Sequence, residues 1–208
     1  MPAQRGRNRA AQGAAAGEKA AVNSRARPPY NPRMPSTPIV AAPSLDALLD
    51  LWRLSNRLTI YFIENLPDAI WPEKVPYPGV SHRTVRSICT HLHNGRCWWI
   101  GKNTGRTHGI AEPKQLDGRS ATRKQVLAAL PRSCRAMEQL IAWGNDPAGG
   151  NNRLPNFPFD MMLFVMYHAA HEAHHRGQLC TVARQLGHTL PLDVLGGLWQ
   201  WKKRMCEV

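Results

Sequence analysis

The chain has 208 residues, 43% of them apolar, and a formal net charge of +13. That suits one ordinary domain plus a tail, and no run of about 18 apolar residues exists to make a membrane-spanning helix. The charge is a weak argument for nucleic acid, because residues 1–33 carry seven basic side chains against Glu18 alone, a net +6. Nearly half of the excess therefore lies ahead of the expected fold.

Residues 1–43 are Ala, Arg, Gly and Pro with little to bury, and are expected to be a disordered basic tail. Such a tail would touch nucleic acid only weakly, and a start at Met34 would make it a gene-model artefact. No continuous apolar run marks a secretory signal. Five cysteines, an odd number without a CxxC pair, read as packed thiols in a reducing cytoplasm.

The domain is expected over residues 44–208. Ser44 is a good N-cap for LDALLDLWRLSNRLTIYFIE, whose Leu48, Leu49, Trp52 and Phe62 recur at helical spacing until Pro67 stops the run. A loop with Pro72, Pro76, Pro78 and Gly79 follows, and Ser81 opens a second helix, HRTVRSICTHLHNGRCWWIG. Ser120 or Thr122 starts a third, RKQVLAALPRSCRAMEQLIAW, with a kink expected at Pro131. The loop GNDPAGGNNRLPNFP leads to the longest, FDMMLFVMYHAAHEAHHRGQLCTVARQLG, closed by Gly187. One short helix, LDVLGGLWQWKKR, ends the chain, and its Trp199 and Trp201 are a candidate homodimer contact. With no period-two strand pattern, the expectation is an all-α four-helix bundle with a short additional C-terminal helix.

The fourth helix holds His168, His171, His174 and His175. At about 100° per residue, His175 lies about 40° from His171 and Gln178 about 20° from it, whereas His174 diverges about 100° from His175. His171 and His175 are thus the pair able to reach one cation. Phe164, about 20° from His171 two turns earlier, sends this face into apolar surroundings. A third ligand must come from another helix. On the second helix His91 and His93 lie about 200° apart, so at most one is expected to face the interior. Gly95 clears space one turn beyond His91, at about 1 kcal/mol of helix stability relative to alanine, and makes His91 the candidate.

Three segments in order resemble the DinB family of metal-binding four-helix bundles. TVRSICTHLHNGRCWWI is similar to its second-helix motif, a histidine followed seven positions later by tryptophan, here His91 and Trp98. HEAHHRGQL matches its H-x-x-x-H-R-x-Q signature, and LPLDVLGGLWQW is similar to the segment many members carry after the last bundle helix. The resemblance covers about residues 44–203 and implies His91, His171 and His175 as the metal ligands, in agreement with the helical angles. Arg176 and Gln178 fill the R-x-Q slots. Gln178 is placed to orient a ligand or water, Arg176 to make a structural contact on another face. His168, His174, Trp98 and Trp99 are expected beside the ligands, in supporting, substrate-contacting or packing positions.

Three imidazoles leave a divalent cation an open position, and zinc, nickel or iron suits such donors. The resemblance implies a transferase in which a low-molecular-weight thiol such as mycothiol, bacillithiol or glutathione attacks an electrophilic substrate as its thiolate. Arg83, Arg86 and Arg96 are candidates to receive the carboxylates of such a thiol. Two alternatives stand beside it: a metal-dependent hydrolase, which would need a base such as Glu172 although that residue lies about 100° from His171, and a metal-binding stress-response protein without turnover.

Overall fold

Ser44 caps the first helix as its sequence requires: its hydroxyl accepts a hydrogen bond from the Ala47 amide at 3.2 Å. In the computed structural model, which describes residues 43–76, 83–103, 109–146, 154 and 161–207, helix α1 then runs over Leu45–Glu64. A 3-10 turn, Asp68–Ile70, follows Pro67. Helix α2 is Val85–Asn103, α3 is Arg123–Asn145 and α4 is Met161–Gln185. The expected tail 1–43 lies outside the described residues up to position 42, as do Pro78, Gly79, Ser81 and most of the loop before α4.

Local chemistry explains the boundaries. At the start of α2 the Ser87 amide donates to Thr84 Oγ1 at 3.1 Å and the Thr84 amide to Ser87 Oγ at 2.9 Å, a reciprocal cap. An isolated antiparallel bridge between Lys74 and Thr84 fixes how the chain enters this helix. Thr122 and Gln125 form the same kind of box at the head of α3, so Thr122 is the cap, not Ser120. Pro131 sits inside α3, where it removes the amide that would serve the Leu127 carbonyl. Gly187, at φ +81°, closes α4; its own amide bonds to Arg184 O and the His188 amide to Ala183 O. That is a Schellman ending, which needs the left-handed conformation glycine adopts without penalty.

The end of the chain differs from expectation. Instead of one short helix there are two, α5 (Leu192–Gly197) and α6 (Trp201–Met205). The break follows Gly196 and Gly197, and a Cβ at Gly197 would lie 2.1 Å from the Tyr61 hydroxyl. Only glycine lets the chain pass that close. The Arg204 guanidinium sits 3.9 Å from the Tyr61 ring centroid, and Glu207 accepts from both Arg57 and Arg204 at 2.9 Å. These contacts dock α6 on α1.

Helix α1 packs on α3 and α4, α2 packs on α3 and α4, and α3 meets α4. The four long helices form the expected bundle. Its core has two apolar halves: one around Phe62, Ile70, Ile88, Leu92, Leu130 and Leu179, the other around Trp52, Ile100, Met137, Leu140 and Phe164. Each helix changes from one half to the other across a buried polar residue: Asn56, Arg96, Ser133 and Glu172. This polar layer lies beside the histidines.

Candidate metal centre

Three imidazoles on two helices converge. His91 Nε2 lies 3.2 Å from His171 Nε2, and His175 Nε2 lies 3.1 Å from the same atom. One ligand atom from each of the three lies within 4.8 Å of the others, a group able to hold a metal ion. Two nitrogens bound to one tetrahedral zinc at about 2.0–2.1 Å are about 3.3 Å apart, close to both observed separations. The protonation pattern fits as well. Gln178 Oε1 accepts from His175 Nδ1 at 2.9 Å, which puts the His175 proton on Nδ1 and its lone pair on Nε2. A single proton on His171 Nε2 can serve only one of its two close neighbours, whereas a cation serves all three nitrogens.

Electrostatics favours the neutral, ligating form. Burial is the largest cause of the lowered pKa of each ring. His91 is also pushed down by His171 and by the nearby Arg83 guanidinium. His171 is lowered despite the opposing Glu172 charge, and His175 falls to about 4. All three are neutral donors at neutral pH.

A cavity of about 350 Å³ adjoins His91 and His171, walled by Gly95, Trp98, Trp99, Tyr167 and His168. Gly95 stands where the sequence argument put it: a Cβ there would lie 3.9 Å from His171 Cε1. Trp98 is half exposed at the cavity wall, with Lys102 Nζ 4.6 Å from its ring centroid. His168 is buried edge-on to Trp52, Trp99, Phe164 and Tyr167, and its Nε2 has no hydrogen-bonding partner among the described residues. Burial takes its pKa to about 3, so it packs as a neutral ring. His174 is exposed and touches His175 only through a ring contact at 5.1 Å. Arg176 donates to Thr59 Oγ1 at 2.8 Å, the structural contact expected of it.

Two readings of the sequence need correction. First, His93 is not turned to solvent; it is fully buried, with Nε2 3.0 Å from Lys114 O, while His91, the residue that meets α4, is only partly buried. The covered outer side of α2 makes both of its faces interior. Second, Arg96 cannot receive a ligand carboxylate. It is 1% exposed and gives two hydrogen bonds to Glu172 Oε1, at 2.8 and 2.6 Å, and others to Asn56, Leu130 and Ser133. Arg86 is also engaged, by Arg119 O. Glu172 Oε2 takes hydrogen bonds from Thr59 at 2.7 Å and Ser55 at 3.4 Å. A signal for this buried pair existed: Leu92, Arg96 and Ile100 fall on one helical face, as do Val165, His168, Glu172, His175 and Leu179.

A family model described as the DinB family matches residues 42–204. The chain belongs to the DinB family. The match takes in the four long helices, α5 and most of α6. No curated protein and no solved structure matches the chain. In this DinB chain the motif histidines His91, His171 and His175 are the three that converge, and the motif glutamine Gln178 is the one that holds His175. No helix among the described residues is long and apolar enough to cross a membrane.

Proposed function

We propose that His91, His171 and His175 hold a divalent cation, zinc, nickel or iron, and that the protein couples a low-molecular-weight thiol to an electrophilic substrate. The observation that carries this reading is the convergence of three neutral Nε2 atoms beside a cavity large enough for a small ligand. A bound cation of this kind lowers the pKa of a thiol in its open position. The chain's own residues do the rest. Gln178 fixes the ring of His175, Arg83 is the basic side chain near His91 left to meet a carboxylate, and Trp98, Trp99 and Tyr167 keep water from one side of the cavity. The partners on this reading are the thiol and its electrophile, with Trp199 and Trp201, both exposed, as the homodimer contact. Five free cysteines suit a reducing cytoplasm.

Hydrolysis is the weaker reading because Glu172, the base it would use, has both oxygens engaged inside the bundle. The test is direct. Zinc-, nickel- or iron(II)-loaded protein is incubated with glutathione, mycothiol or bacillithiol and chlorodinitrobenzene, and thioether formation is followed by absorbance. A rate above that of His91→Ala and His171→Ala supports the transferase. A rate equal to theirs with every thiol and metal removes it and leaves a metal-binding stress-response protein without turnover.

A further inference from the structure

The cavity beside the histidines has a chemical character of its own. Trp98 and Trp99 meet edge to face, with centroids 5.0 Å apart at 90°. Trp99 meets Tyr167 at 5.9 Å and 69°, and the Tyr167 ring runs nearly parallel to that of His171, at 10° and 6.1 Å. Trp98 and Tyr167 are each 45% exposed although they stand on regular helices. Large aromatic surface left open around a concavity marks a binding site more than a packing defect. The charged residues of its lining, Arg96 and Glu172, neutralise each other at 2.6 Å. Lys102 already occupies the cation-binding position over Trp98, so a cationic guest would meet like charge there.

We propose that this cavity binds a small, planar, uncharged aromatic molecule against Trp98, Trp99 and Tyr167. The assignment deepens the preceding reading, since such a molecule would be the electrophile. Its volume, about 350 Å³, is at the small end of small-molecule sites and fits one or two fused rings. Offset and edge-on ring contacts supply attraction beyond burial alone, which a saturated molecule of the same size does not gain. Gly95 is the gate: a side chain longer than methyl, starting 3.9 Å from His171 Cε1, enters the cavity.

The probe is prodan, an uncharged naphthalene dye whose emission shifts in apolar surroundings, titrated into full-length protein with and without zinc. Saturation at one equivalent is expected, with affinity weakened about tenfold or more in Trp98→Ala and Gly95→Leu. Trp199→Ala, in the turn between α5 and α6 and outside the cavity lining, is expected to leave it unchanged. Naphthalene should displace the dye, and decalin and choline should not. The Gly95→Leu variant keeps the test decisive if Trp98→Ala loses its helical signal, because leucine is the better helix former. No saturable binding, undiminished binding in Gly95→Leu, or displacement by decalin as readily as by naphthalene overturns the assignment. The metal-free titration separates the two readings. Prodan bound by protein that takes up no metal supports the aromatic cavity while the metal site fails; metal bound without prodan overturns the cavity alone.

Discussion

Glu172→Ala is expected to be among the most damaging single substitutions in the bundle. The carboxylate is 1% exposed and takes two hydrogen bonds from Arg96 and one each from Thr59 and Ser55. Its removal leaves a guanidinium buried between α2 and α3 with its charge uncompensated. Breaking a buried pair in this way costs about 3–5 kcal/mol. For a domain of this size that lowers the melting temperature by about 6–20 °C. The pair itself is another matter, because desolvation offsets much of its attraction. With methionine in place of each partner, the double variant is expected to recover most of the loss seen in Glu172→Met or Arg96→Met alone, giving a large favourable coupling in the double-mutant cycle. Urea unfolding followed by far-ultraviolet circular dichroism measures all four corners. A loss below about 1 kcal/mol in Glu172→Ala, or a double variant as unstable as the sum of the singles, would refute the reasoning.

Gly95→Ala is expected to stabilise the protein by about 1 kcal/mol, since its Cβ makes only an ordinary contact and glycine is the poorer helix former; thermal unfolding reads it. Gly197→Ala is expected to destabilise by about 1–3 kcal/mol because the new Cβ collides with Tyr61. Gly196→Ala, with nothing within 4 Å, is the control and is expected to stay within about 0.5 kcal/mol of the parent. Gln178→Ala removes the acceptor that holds His175 Nδ1 and is expected to weaken zinc binding about 10–100-fold, measured by competition with a chromophoric chelator, while the helical signal is kept.

The fold was legible where local chemistry decides it. Ser44, Thr122, Pro67 and Gly187 punctuate the chain through hydrogen bonds made within a few residues, so sequence alone carries the signal. The histidine pairing was legible for a similar reason: helical angle separates His171 and His175 from His174 without reference to anything distant. Contacts across the bundle were not. Arg96 and Glu172 are 76 positions apart, and although each shares a helical face with apolar residues, nothing near either one names its partner. Their burial follows only once both fall on core faces that meet. The close approach of Gly197 to Tyr61 in α1 is likewise a contact between residues far apart in the chain. His93 shows the limit of a two-sided view of a helix, since α2 is covered on both sides by its neighbours and by the segment containing Lys114.

Central to the proposed function is one metal ion shared by two helices. Elemental mass spectrometry of untagged protein, beside His91→Ala and His171→Ala, tests it with no assumption about the reaction. About one equivalent of metal in the parent, lost in both variants while the helical signal is kept, is the predicted result. No metal in the parent after reconstitution with zinc, nickel and iron(II), or a full equivalent retained by His91→Ala, would contradict it.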